Sequence, residues 1–286
     1  MKKDILKIIQ DNMTGFSKGQ RIIARYIIES YDKAAFMTAA ELGKNVGVSE
    51  STVVRFAAEL GYEGYPGMQR ALQEMIRNRL TSVQRMEVGN DRISSLDVLP
   101  AVLQSDIENI RSTMEENSRE SFHGAVDAII KARKIYILGV RSSAAIASFM
   151  AFYFNLIFEN VKLISTNSAS EMFEQMLRVS TQDVVIAISF PRYSKRTVQA
   201  MRFSADMGAT VIAITDSQDS PLAGCAKHVL LARSDMVSFV DSLVAPMSLI
   251  NALIVAVGRK NNEQLSRTFE ALENIWEEYE VYEKVE

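Results

Sequence analysis

Serine, threonine and arginine recur at two kinds of position in this 286-residue chain, and both suit polar or anionic partners. The first is Ser49-Glu50-Ser51-Thr52-Val53-Val54-Arg55. Helical spacing sets Ser51, Thr52 and Arg55 opposite Val53, Val54, Ala57 and Leu60, so hydroxyls and one guanidinium share an outward face. Arginine reaches guanine bidentately, and hydroxyls bond phosphate oxygens. Ser49 stands where a helix cap belongs, and Gly61 where the helix should end. Upstream, Ala40, Leu42 and Val46 supply the buried stripe of a shorter helix. Gly47 supplies a turn where a side chain would crowd the backbone, and Val48 is the apolar plug beneath it. This is a helix-turn-helix pattern whose second helix can lie in a DNA major groove. Lys18 and Arg21 fall in the first turn of an earlier helix capped by Ser17, placed to grip phosphate. The expected DNA contacts are therefore Lys18, Arg21, Ser49, Ser51, Thr52 and Arg55.

The second kind of position is a set of four hydroxyl-rich loops, Gly139–Ser143, Ser165–Ser170, Ser189–Thr197 and Thr215–Ser220. Each follows a short β-branched apolar run: 134–139, 161–165, 183–189 and 209–215, with a fifth run at 228–231. Helical stretches alternate with them at 142–158, 168–178, 194–207 and 219–225. Alternating strands and helices imply a parallel sheet covered on both faces. Ligands of such sheets sit beyond the strands' carboxyl ends, where free N–H groups of the following helices favour anions. Neither a dinucleotide-type G-x-G-x-x-G nor a G-x-x-x-x-G-K-[ST] phosphate loop is present.

The elements that must position these residues divide the chain. Helices are expected at 3–13, 17–31 (Ile22, Ile23, Tyr26 and Ile27 inward), 37–45, 49–60 and 65–79, a domain over 1–80. Residues 81–95 read as a linker. From Leu96 to Asn117, Leu99, Leu103, Ile107, Ile110 and Met114 recur at helical spacing, giving one buried face that joins the halves or pairs with a second subunit. Residues 81–120 are thus a linker and connecting helix, and 121–286 the α/β domain, ending in helices near 238–258 and 262–284. The 238–258 helix is the other candidate for a subunit seam.

Net charge is -3 overall, yet residues 1–80 hold 12 Lys and Arg against 9 Asp and Glu, so the basic bias sits on the helix-turn-helix segment. Cys225 is the only cysteine and His123 and His228 the only histidines, so neither a disulfide nor a metal centre is expected, and no cofactor is implied. The longest apolar run, 242–257, is interrupted by Pro246 and Asn251, short of the about 20 residues a bilayer span needs, and no leader pattern opens the chain. A cytoplasmic protein without membrane contact is expected.

The pattern Ala40-Glu-Leu-Gly, Val46-Gly-Val-Ser-Glu-Ser-Thr-Val-Val-Arg-Phe and Leu60-Gly-Tyr, followed by the serine-edged sheet, resembles the MurR/RpiR family of bacterial transcriptional regulators. The resemblance implies an all-α helix-turn-helix domain followed by a sugar isomerase (SIS)-like domain, a five-stranded parallel sheet flanked by helices. It implies a homodimer or homotetramer on a palindromic operator, with half-sites roughly 34–36 Å apart, and an SIS domain that senses a phosphosugar without turning it over. Ser142 and Ser143 match the first phosphate-binding loop. Ser189 matches the first serine of an S-x-S-G-x-T loop and Ser194 its threonine, but Pro191 replaces the second serine and Arg192 the glycine. Arg192, Lys195 and Arg196 add cation density there, and Arg192 can clamp an anion bidentately. The effector is therefore a small anion, a phosphosugar or a carboxylate metabolite, held by Ser142, Ser143, Ser189, Arg192, Ser194 and Glu171. The alternative is a phosphosugar isomerase on the same fold, for which Glu171 and Glu174 are the available carboxylate bases.

Overall fold

The computed structural model describes residues 5–79, 81, 83–86, 97–166, 168–236 and 238–283. Most of the expected linker, like residues 3 and 4, Leu96 and residue 284 of the expected helices, lies outside them. Two compact units result. One holds the described residues through Asp97 with those of 238–240; the other runs from Val98 to Met236 and from Asp241 onward.

The first unit is all helical: α1 Ile5–Asp11, α2 Lys18–Glu29, α3 Tyr31–Ala34, α4 Ala39–Val46, α5 Glu50–Glu59 and α6 Tyr65–Arg79. Local chemistry fixes each start. Ser17 and Gln20 form a capping box at α2, Thr38 and Glu41 another at α4, and Ser49 caps α5. Thr38 N donates to Glu41 Oε2 at 2.7 Å, and this bond with that of the Thr38 hydroxyl holds the Glu41 carboxyl below its ordinary pKa. The expected single helix over 17–31 breaks at Ser30, and α3 follows as a separate turn. Ile9, Ile23, Ile27, Leu42, Val53, Phe56, Leu72 and Ile76 fill the core, with Phe16 edge-on to Phe56 at 5.1 Å. Three expected inward residues face solvent: Ile22, Ala40 and Val54. Ala24, Ala39 and Phe56, each one or two places away, take the buried positions instead.

The second unit places a five-stranded sheet between helices: α7 Val98–Glu116, α8 Arg119–Lys131, β1 Ile135–Gly139, α9 Ser143–Ile157, β2 Val161–Ile164, α10 Ala169–Met176, β3 Val184–Ile188, α11 Lys195–Asp206, β4 Thr210–Thr215, β5 His228–Leu231, α12 Val244–Lys260 and α13 Asn262–Glu278. All pairings are parallel and the order is β2-β1-β3-β4-β5. Alternate residues serve opposite faces. Ile135, Ile137, Ile186, Ile188, Ile212 and Ile214 pack with α8, α9 and α12. Tyr136, Leu138, Val185, Ala187, Val211 and Ala213 pack with α10 and α11. Asp183, just before β3, is fully buried and takes a bidentate bond from Arg133, at 3.0 Å from Nε and 2.8 Å from a terminal nitrogen. Three expectations change here. The helix over 219–225 shrinks to a 3-10 turn, Ala223–Cys225; the one over 238–258 begins at Val244; and the apolar face of 96–117 is exposed.

Candidate DNA-contact helix and ligand crevice

In the first unit, α4 and α5 are joined by Gly47-Val48-Ser49. Gly47 has φ 73°, a left-handed backbone that glycine accepts without cost, and nothing lies within 4 Å of where its Cβ would be. Crowding, expected at Gly47, belongs to Gly43, where a Cβ would meet Val48 O at 2.8 Å. The helices therefore touch through a missing side chain. Gly61 N and Tyr62 N close α5 on Ala58 O and Ala57 O, a Schellman end with Gly61 left-handed at φ 86°.

At the start of α5 the hydroxyls form one cluster. Ser49 Oγ lies 2.9 Å from Ser51 Oγ and 2.8 Å from Thr52 Oγ1, and it accepts from Thr52 N at 3.3 Å. Arg55 is exposed one turn on, its Nε donating to Ser51 O at 3.3 Å. Lys18 is exposed at the first residue of α2. Arg21 is also exposed, but its Nε is committed to Phe16 O at 2.9 Å, which leaves its terminal nitrogens to face outward contacts. Thr52 Cγ2 packs near Gly19, so α2 and α5 meet beside this cluster.

In the second unit, the register brings the four loops to one edge. Gly139 pairs with Ile188, Leu138 with Ile164 and Ile188 with Ile214, so β1, β2, β3 and β4 end side by side. The order reverses between β1 and β3, the switch point at which such sheets open a crevice. Gly139 makes the first loop tight: a Cβ there would lie 2.6 Å from Ser143 O and 2.9 Å from Ala147 Cβ. Ser142 caps α9 by position only, making no side-chain bond to the helix, and Ser143 is buried. In the second loop Glu171 has both oxygens engaged, from Thr166 Oγ1 at 2.5 Å and Gln175 Nε2 at 3.2 Å. In the third, buried Ser189 accepts from Ser194 N at 3.4 Å while Ser194 caps α11.

Sequence reasoning missed two features of this edge. Tyr193 donates from its hydroxyl to buried Asp216 at 2.8 Å, tying the third loop to the fourth. Thr197, fully buried in the first turn of α11, has no hydrogen-bond partner for its hydroxyl. Spacing alone signals neither, although Thr197 belongs to the quoted hydroxyl-rich loop. Two arginines here occupy left-handed backbone, Arg141 at φ 57° and Arg192 at φ 66°. Arg192 thus keeps the conformation suited to the glycine it replaces in the resembled motif, at a backbone cost of about 1–2 kcal/mol. Among the described residues, no group of His, Cys, Asp and Glu is arranged to hold a metal ion, and no helix is long and apolar enough to cross a membrane.

A helix-turn-helix unit followed by a serine-edged parallel α/β unit defines a class of transcriptional regulator. Comparison gives the family. Residues 3–79 match the rpiR-family helix-turn-helix domain and residues 128–256 the SIS domain. Escherichia coli HexR, a helix-turn-helix transcriptional regulator, is 27% identical over 278 residues, 94% of each chain. A helix-turn-helix regulator of Caldanaerobacter subterraneus is 25% identical over 93% of this chain and 95% of its own. Among solved structures, the sugar isomerase domain of an RpiR transcription factor from Sphaerobacter thermophilus superposes with TM-score 0.59 at 26% identity, covering 62% of this chain and 98% of that one. Vibrio vulnificus NanR, solved with ManNAc-6P, shares the fold with TM-score 0.58 at 22% identity over 95% of this chain and 98% of its own. The chain belongs to the MurR/RpiR family of DNA-binding transcriptional regulators.

Proposed function

We propose that residues 1–80 bind operator DNA through α5 and that the domain over 121–286 answers a small anionic effector, with 81–120 joining them. Arg55 reads a base edge or phosphate, Ser51 and Thr52 bond phosphate, and Ser49 supports them as cap and cluster centre. Lys18 and the terminal nitrogens of Arg21 add phosphate contacts from α2. The effector, a phosphosugar or a carboxylate metabolite, sits at the β1–β3 switch point against Ser142, Ser143, Ser189 and Ser194, with Arg192 as clamp. Glu171, held by Thr166 and Gln175, accepts from an effector hydroxyl. The chain works as a homodimer or homotetramer, since paired recognition helices suit paired half-sites.

The observation that carries this reading is the register that ends four hydroxyl-bearing loops at one sheet edge, beside two arginines on left-handed backbone. The ManNAc-6P held by V. vulnificus NanR supports a phosphorylated sugar as the ligand class. The test begins with a duplex selected from a random pool by the wild-type protein. Arg55→Ala should weaken it by about 1–3 kcal/mol, roughly 5- to 150-fold. Thermal shift with ManNAc-6P, glucose 6-phosphate, 6-phosphogluconate and gluconate then scans the effector. Arg192→Ala should abolish the shift and keep the duplex affinity. Unaltered duplex binding by Arg55→Ala, or an unaltered shift in Arg192→Ala, refutes the corresponding assignment.

A further inference from the structure

The third and fourth loops of the sheet edge share a buried acid. Asp216, the residue that follows β4, is 3% exposed. Its Oδ1 accepts from the Tyr193 hydroxyl at 2.8 Å and from Thr215 Oγ1 at 3.4 Å. Ser189 N, just past β3, donates to Ile214 O at 3.1 Å. Asp216 follows that acceptor by two residues, so the acid stands beside a serine of the proposed anion site. Burying a carboxylate is costly unless donors surround it. One of its donors here is a neutral hydroxyl on a half-buried loop residue, which a hydroxyl or ammonium of a ligand can replace. Thr197, four residues after Tyr193, is fully buried as well, and its hydroxyl has no hydrogen-bond partner. Such a group is rare in a native protein, and a carboxylate and a hydroxyl buried at one strand edge suit a ligand that brings hydroxyls of its own.

We infer that Asp216 selects the effector, and that the Tyr193 hydroxyl occupies the acid until an effector hydroxyl or amine takes its place. The inference rests on the effector reading above and narrows it. An anion held by Ser189, Ser194 and Arg192 lies next to Asp216, and a second anionic group at that point would meet a buried like charge. The effector therefore carries one anionic group, with hydroxyls or an amine on the remainder: a hexose or amino-sugar phosphate in preference to a phosphorylated sugar acid. A hydroxyl of that remainder donates to Asp216 Oδ1 as the Tyr193 hydroxyl leaves it, so the carboxylate keeps its donor throughout. Arg192 and Tyr193 are consecutive, so gripping the anion and uncovering the acid engage one stretch of backbone.

The test uses the full chain as wild type, Asp216→Asn and Tyr193→Phe, with affinities read from the concentration dependence of the melting temperature. The ligands are inorganic phosphate, glucose 6-phosphate, ManNAc-6P and 6-phosphogluconate. In the wild type the better hexose phosphate should bind at least about 10-fold tighter than inorganic phosphate or 6-phosphogluconate. Asp216→Asn should weaken the hexose phosphate by roughly 10- to 100-fold, the worth of a hydrogen bond to a charged group, and close the gap to 6-phosphogluconate. Tyr193→Phe should bind the hexose phosphate more tightly, because the competing donor has gone, whereas a tie that merely holds the loops together would make it bind less tightly. If none of the four ligands shifts the wild type, the effector reading falls and this inference with it. If hexose phosphates do bind, two results overturn the role of Asp216 alone: an advantage over inorganic phosphate that survives in Asp216→Asn, or 6-phosphogluconate as the tightest ligand of the wild type. Unchanged or weaker hexose phosphate binding by Tyr193→Phe overturns the exchange, and this variant decides should Asp216→Asn not fold.

Discussion

Replacing Gly43 by alanine sets two physical effects against each other. Gly43 lies inside α4, where alanine gains about 1 kcal/mol of helix propensity over glycine. Against this, the new Cβ would stand 2.8 Å from Val48 O, 3.3 Å from Glu50 N and 3.4 Å from Ser49 C. All three are backbone atoms. They sit in a turn fixed by the Val48 N to Gly43 O bond at 2.9 Å and by the Ser49 cap, so no rotamer change relieves them. Overpacking costs about 1–3 kcal/mol, and a backbone obstacle belongs in the upper part of that range. The clash wins by about 1–2 kcal/mol, and its relief requires α5 to move off α4. Trp276, the only tryptophan, lies in the other unit, so global fluorescence would miss the change. Amide hydrogen exchange across 39–60 is the suitable assay, with roughly 5- to 30-fold faster exchange expected and weaker binding to the selected duplex. Exchange as slow as in the wild type, or slower, would mean that propensity prevails and that α5 can give way to the new Cβ at no net cost.

Two further outcomes follow from other contacts. Ser49→Ala should cost about 1 kcal/mol in the first unit through loss of the α5 cap, while Ser49→Asp should restore stability yet weaken duplex binding, since it keeps an N-cap acceptor but adds negative charge. Equal duplex affinity for both variants would separate Ser49 from the DNA face. At Asp183, burial by itself would raise the carboxyl pKa, but the Arg133 guanidinium and the Ser180 amide and hydroxyl outweigh it and lower the value. A depressed folded pKa adds stability that is present above the unfolded value, about 3.9, and is lost as pH falls through the folded one. Asp183→Asn should therefore destabilise the second unit by about 1–2 kcal/mol at pH 7, discounted because Arg133 stays half exposed. The deficit, read from the Trp276 denaturation midpoint, should close below about pH 4; a pH-independent deficit would refute the linkage.

The strands were legible because a buried parallel strand is a short β-branched run between polar loops, and 228–231 carries its bounds in its composition. The loops were legible for the same reason, since the residues that end such runs must face the crevice. Helix faces were read less well. Ile22 is larger than Ala24, so composition favoured it, while Val54 and Phe56 are both apolar and composition does not choose between them; on helices of 12 and 10 residues the phase is set by tertiary contacts such as that of Phe16 with Phe56. The α7 stripe shows the same limit: periodicity reveals that one face is apolar and says nothing of what covers it. Thr38-Ala-Ala-Glu41 carries its capping box in its spacing, an S/T-x-x-E pattern at the start of α4. Gly43 could not be singled out, because its neighbour Val48 approaches only once the turn has formed. Tyr193 and Asp216 are 23 residues apart and become a pair only through the register of β3 and β4.

Gly139 has a mechanical corollary. With β1 and α9 in contact through a missing methyl, the helix is seated on its strand without play. Its 15 residues make a stiff push-rod about 22 Å long. One end bears Ser142 and Ser143; at the other, Ile157 touches the place where Gly258 of α12 meets Leu265 of α13. An effector held at Ser142 and Ser143, as proposed, would therefore bear on the same rigid element that meets α12 and α13 at its far end.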